Sequence, residues 1–163
     1  MADPPTSDQD LGYQFDVDGE LIEVLGPDGL KADPQAIGKF KTFQVPGGTQ
    51  ALRRTEVVWI ALAGGTAIAM RRPSLLGAIL IKARVVAKHR RSKFESDRQD
   101  LVGLLSLVDD PRDLAAAGKL KTTEQKWLAD VAKALKFTDP LLADLFDREQ
   151  LVRAQQTFDL LLA

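Results

Sequence analysis

The chain has 163 residues, 45% of them hydrophobic and 28% charged, enough for one domain with a real core or a domain plus a helical extension. Cysteine is absent, which excludes disulfides, zinc–thiolate sites and cysteine nucleophiles. The net charge of −1 hides a segregation: Met1–Pro34 holds nine acidic residues and one lysine, whereas Val57–Phe94 holds no acidic residue at all. The acid-free stretch carries Arg71, Arg72, Lys82, Arg84, Lys88, Arg90, Arg91 and Lys93. Such a distribution fits a surface that faces a polyanion, and equally a basic helix packed on an acidic neighbour.

Met1–Leu11 is acidic, contains proline and has neither a basic n-region nor an apolar h-region, so it reads as a disordered tail and not as a signal peptide. Tyr13–Val17 and Leu21–Leu25 are predicted strands joined by Asp18-Gly19, a dipeptide favoured in tight hairpin turns. Gly26-Pro27-Asp28-Gly29 reads as a turn. Phe40, Phe43 and Val45 mark a third strand, stopped by Pro46-Gly47-Gly48. Thr55–Ala63 is β-branched and apolar, Gly64-Gly65 turns the chain, and Thr66–Met70 returns as a strand.

At Arg71 the pattern changes to helix. Pro73 is placed at a first helical turn, where its missing N–H costs nothing. Predicted helices follow at Ser74–His89, Glu95–Val108, Arg112–Ala117, Thr122–Leu135, Pro140–Phe146 and Arg148–Leu162. Thr122 with Gln125 three residues on resembles a capping box. The longest apolar run, Leu75–Ile81, is too short to span a bilayer, so a cytoplasmic protein without a membrane partner is expected. The expected division is a tail over 1–11, a β-rich part over 12–70 and a helical region over 71–163.

Three residues stand out chemically. Lys82 has Leu75, Ala78, Ile79, Val85, Val86 and His89 as helical neighbours, so its amine either snorkels to the surface or reaches a buried anion. Asp100 sits at the margin of the next apolar face beside Leu104 and Leu107, with Asp97 one turn earlier. It is either an edge carboxylate paired to a cation of the basic helix or part of a site for metal and phosphate. Glu23 alternates with Leu21 and Leu25 on a strand, facing solvent on an edge or lining a cleft. His89 reads as a helix-surface residue, and the glycine pairs lack the spacing of a P-loop or dinucleotide fingerprint.

Four stretches in order carry a resemblance: Leu21–Gly29, Val45-Pro-Gly-Gly-Thr-Gln-Ala-Leu-Arg-Arg-Thr-Glu56, Arg72-Pro-Ser-Leu-Leu-Gly-Ala-Ile-Leu-Ile-Lys82 and Asp97-Arg-Gln-Asp-Leu-Val-Gly-Leu-Leu105. Together, from about Tyr13 to about Pro111, they are similar to the AbiEii/AbiGii nucleotidyltransferase toxins, including the MenT-type enzymes. The resemblance implies an α+β fold: a partial polymerase-β-type mixed sheet followed by a C-terminal helical bundle. It also implies transfer of a nucleoside monophosphate from a nucleoside triphosphate, with Mg²⁺, onto an RNA, commonly tRNA, with a cognate antitoxin as protein partner. By position, Glu23 matches the third strand carboxylate and a metal ligand, Lys82 the lysine that contacts the triphosphate, and Asp100 the helix carboxylate beside it. Arg84 joins Lys82 as a candidate nucleotide-binding residue.

The family's Gly-Ser turn and Asp-x-Asp strand are not found before Glu23; Asp8-Gln9-Asp10 has the letters without the apolar strand. The expectation is therefore a nucleotidyltransferase toxin that is truncated or inactive as this chain. The alternative is a non-catalytic protein that binds nucleotide, RNA or an antitoxin.

Overall fold

The computed structural model describes residues 14–17, 19–23, 25–28, 43–88, 94–116 and 118–163. These form a mixed α/β chain that divides into two compact units, Met1–Thr49 and Gln50–Ala163.

In the first unit, β1 (Gln14–Val17) and β2 (Glu20–Glu23) pair antiparallel around Gly19, whose φ of 85° suits the tight turn. β3 (Leu25–Pro27) pairs in parallel with β4 (Phe43–Val45), so the expected turn at Gly26-Pro27 is instead strand, and the turn begins at Asp28. Beyond β4 the chain closes on that turn. The Asp28 carboxylate accepts from Gly47 N at 3.2 Å and Thr49 N at 3.1 Å, and Thr49 Oγ1 donates to the Asp28 carbonyl. Gly48 has to be glycine there, because a Cβ would lie 2.8 Å from Pro27 Cα and 3.1 Å from Val45 Cγ2.

A short helix, α1 (Gly48–Arg53), follows where sequence reading placed only a turn. The second unit then opens with β5 (Thr55–Ala61) and β6 (Ala67–Pro73), an antiparallel hairpin turning through Gly64 and Gly65 at φ of 95° and 82°. Pro73 is the last residue of β6, opposite Thr55, and not the first turn of a helix as predicted. The cap is Ser74, whose Oγ accepts from Gly77 N at 3.2 Å, and α2 runs Leu75–Lys88.

The remaining helices are α3 (Phe94–Ser106), α4 (Pro111–Ala116), α5 (Thr122–Ala132), α6 (Pro140–Ala143) and α7 (Arg148–Leu162). The core follows helical spacing: one cluster joins Leu76, Ile79, Leu80, Ala83 and Val86 of α2, Leu101, Val102 and Leu105 of α3, Leu128 and Val131 of α5, and Phe158 and Leu161 of α7. Each fully buried aliphatic side chain of this kind contributes roughly 1.5–3 kcal/mol. α3 packs on α2 and α7, and α5 packs on the other flank of α2.

Two buried charges, Glu124 and Arg98, fix the periphery of that core. Arg54 donates to Glu124 Oε2 at 2.9 Å and to the Lys119 carbonyl at 3.2 Å, tying the foot of the hairpin to α5. The same Glu124 oxygen accepts from Lys121 N at 2.8 Å, so the helix starts one residue earlier than the Thr122/Gln125 box predicted, with Lys121 as N-cap. Arg98, 5% exposed, bridges Glu95 at 2.6 Å and Asp139 at 2.8 Å, joining α3 to the residue that caps α6.

Candidate functional site

The helical packing brings Lys82 of α2 against α3. Its Nζ lies 2.7 Å from Asp100 Oδ2 and 3.1 Å from Asp97 Oδ1. Asp97 and Asp100 are three residues apart, so one helical face presents both to the same amine. The lysine sits between the apolar stripe of α2 and solvent, half-buried, which keeps its stem in the core margin and its charge at the surface. Burial pulls the Lys82 pKa down, but the hydrogen bonds and charges of Asp100 and Asp97 outweigh it and hold the amine above the ordinary lysine value. It is a full cation at neutral pH.

The two acids differ in access. The Asp100 side chain is 56% exposed and that of Asp97 only 15%. Beyond Asp100 an open groove of about 530 Å³ runs along α3, lined by Lys82, Asp100, Gly103, Leu104, Leu107 and Phe146 among others. One end is charged and the rest is apolar.

The other sequence-derived candidates fall elsewhere. Arg84 turns to its own surroundings: it donates to Gln50 at 3.3 Å, and its guanidinium lies 4.8 Å from the centroid of the Trp127 ring, a cation–π contact. Glu23 ends β2 opposite Gln14 in the first unit; its side chain is not among those described. Asp8, Asp10, His89, Arg90, Arg91, Lys93 and the expected tail over 1–11 lie outside the described residues.

The cluster can be tested against the Mg²⁺ that the resemblance implies. Mg²⁺ takes an octahedral set of oxygens, usually one or two carboxylates completed by water and phosphate. Asp97 and Asp100 supply two carboxylates, but an ammonium lies between them. Among the described residues no three His, Cys, Asp or Glu side chains gather to hold an ion. These residues do not by themselves fit a Mg²⁺ centre. What the arrangement can do is present a fixed cation, flanked by one exposed and one sheltered carboxylate, to an incoming anion.

Compared with protein-family models, curated proteins and solved structures, the chain matches none of them. No helix among the described residues is long and apolar enough to cross a membrane.

Proposed function

We propose that this chain is a nucleotidyltransferase-type protein of a toxin–antitoxin system, in which Lys82 takes a phosphate of a nucleoside triphosphate destined for an RNA acceptor. The single observation that carries this is the seating of Lys82 between Asp97 and Asp100 at the mouth of a groove. A phosphate reaching Lys82 displaces Asp100, the exposed acid, while Asp97 keeps the amine in place. The exchange substitutes one charge-assisted hydrogen bond for another and leaves no buried charge unpaired. The partial polymerase-β-type sheet, the tRNA acceptor, the antitoxin and the cytoplasmic setting belong to the same proposal and rest on the resemblance. No step is assigned to Mg²⁺, since the cluster does not fit it.

A second function is favoured by a specific observation: the charge of Lys82 is already matched by two carboxylates, and the described residues offer no third. On that ground a non-catalytic protein that binds nucleotide, RNA or an antitoxin is the alternative. Calorimetric titration of the full chain with each nucleoside triphosphate, followed by incubation with labelled triphosphate, Mg²⁺ and total tRNA, separates them. Binding that weakens roughly tenfold or more in Lys82→Ala, in line with loss of a charge-assisted hydrogen bond, supports the phosphate role. Label on RNA makes the protein a transferase, and binding without label makes it the non-catalytic form. Equal affinity in the parent, Lys82→Ala and Asp100→Asn would remove the site.

A further inference from the structure

The β5–β6 hairpin has two unlike faces. The pleat puts Val58, Ile60, Ile68 and Met70 on one, together with the Arg72–Glu56 ion pair at 2.8 Å. The other face carries Thr55, Val57, Trp59 and Ala61, paired with Pro73, Arg71, Ala69 and Ala67. Trp59 lies directly opposite Ala69, with Ala61 and Ala67 on one side and Val57 and Arg71 on the other. It is 72% exposed, more than any other large hydrophobic side chain described. Tryptophan normally buries its ring, and an exposed indole opposite an alanine is a flat apolar plate.

Arg71 shares that face, diagonal to Trp59. It donates to Thr55 Oγ1 at 3.1 Å, a neutral partner, and among the described residues no carboxylate takes its charge. Arg72, on the opposite face, is spent on Glu56. The Trp59 face holds no acidic residue, in keeping with the acid-free run Val57–Phe94.

We infer that this face binds single-stranded RNA, with a base stacked on the Trp59 indole and an adjacent phosphate held by Arg71. Base–aromatic stacking works for every base, and the Arg71 guanidinium, on the same face but turned toward Thr55, supplies the charge that a polyanion needs. Charge complementarity decides the occupant: a second copy docked face to face would offer Arg71 a face with no carboxylate, whereas a nucleic acid offers it a phosphate. The inference draws on the proposed function only in naming RNA and shares no residue with the Lys82 cluster.

The test is fluorescence anisotropy of a labelled 12-nucleotide mixed-sequence single-stranded RNA titrated with the full chain over a salt series, with sedimentation of the same samples. Trp59→Ala is expected to weaken binding roughly tenfold, the loss of one stacked base, and Trp59→Phe far less. Arg71→Gln should weaken binding and lower the salt slope by about 0.7, one phosphate on a single strand. The RNA is titrated without triphosphate or Mg²⁺, so failure of the triphosphate site leaves this inference standing. Affinities of Trp59→Ala and Arg71→Gln within twofold of the parent would overturn it, as would a parent that does not bind. A concentration-dependent dimer abolished by Trp59→Ala would overturn it too, by naming a second copy as the occupant. Because Trp59 and Arg71 are both exposed, unchanged melting of the variants is the check that folding is intact.

Discussion

Gly77 in α2 and Gly103 in α3 are both glycines inside helices, yet the same substitution should act on them in opposite directions. Alanine is favoured over glycine in a helix interior by about 1 kcal/mol, and at Gly103 nothing opposes that gain. The new Cβ would meet Phe146 ring atoms at 3.6 and 3.7 Å, ordinary van der Waals contact. At Gly77 the Cβ would come within 2.7 Å of the Arg54 carbonyl oxygen and 3.2 Å of Arg54 Cβ. That carbonyl cannot retreat cheaply, because it accepts from Ser74 N at 2.7 Å, the hydrogen bond that closes the hairpin onto α2.

Overpacking of this kind costs roughly 1–3 kcal/mol, and losing the Ser74 bond adds about 1 kcal/mol. Set against the helix gain, Gly77→Ala should destabilise by about 1–3 kcal/mol while Gly103→Ala stabilises by up to about 1 kcal/mol. For a unit of this size 1 kcal/mol moves the melting temperature by about 4 °C. Thermal unfolding followed by circular dichroism should therefore show Gly77→Ala melting about 4–12 °C below the parent and Gly103→Ala up to about 4 °C above it. A Gly77→Ala protein that melts at or above the parent would refute the claim that α2 is held against the Arg54 backbone.

Glu124→Ala should be among the most damaging single changes, because it strands Arg54 beside the core; removing one partner of a buried pair costs about 3–5 kcal/mol, and a loss under about 1 kcal/mol in urea titration would show that the pair is not buried in solution. Asp139 carries the acid sensitivity of the α3–α6 junction. The Leu141 N–H and the Arg98 guanidinium lower its pKa, so its stabilisation is complete above its ordinary value of 3.8 and is lost as pH falls through the lowered folded value. Asp139→Asn should flatten the drop in melting temperature below about pH 4, and an unchanged acid limb would put that sensitivity elsewhere.

Local signals made most of the second unit legible. The β-branched run, expected over Thr55–Ala63, forms a strand that ends two residues earlier at Ala61, and the Gly64-Gly65 turn and the apolar spacing of α2 and α3 appear as predicted. Asp100, which the sequence leaves as either an edge carboxylate paired to a cation of the basic helix or part of a site for metal and phosphate, does pair with Lys82. What could not be seen is non-local or too short. The parallel β3–β4 pair joins residues nearly twenty apart, which no periodicity reveals. α1 spans only six residues, below the length at which a helical repeat shows, and its Gly-Thr start reads as a turn. Glu124 and Arg98 look like surface charges in sequence, and only the fold shows that each is shielded by a partner from a distant segment.

The acid-free stretch reads as one basic surface, but the fold distributes its cations. Arg72 is taken by Glu56 across the strand, Lys82 by Asp97 and Asp100 of the next helix, and Arg84 by Gln50 and the Trp127 ring. Every one of those partners comes from outside the stretch, so the absence of acids within it never implied unpaired charge. The consequence for polyanion binding is a ranking by partner and not by sequence density. Displacing Glu56 from Arg72 gains an anion only by exposing another. Arg71 has a neutral hydroxyl to give up, so a phosphate there displaces no carboxylate. Lys82 lies between these limits, since one of its two acids is exposed enough to swing away. On the proposed readings, a single anion is best served at Lys82, where the amine is fixed, and a chain of anions at Arg71, which shares a strand face with the exposed indole of Trp59.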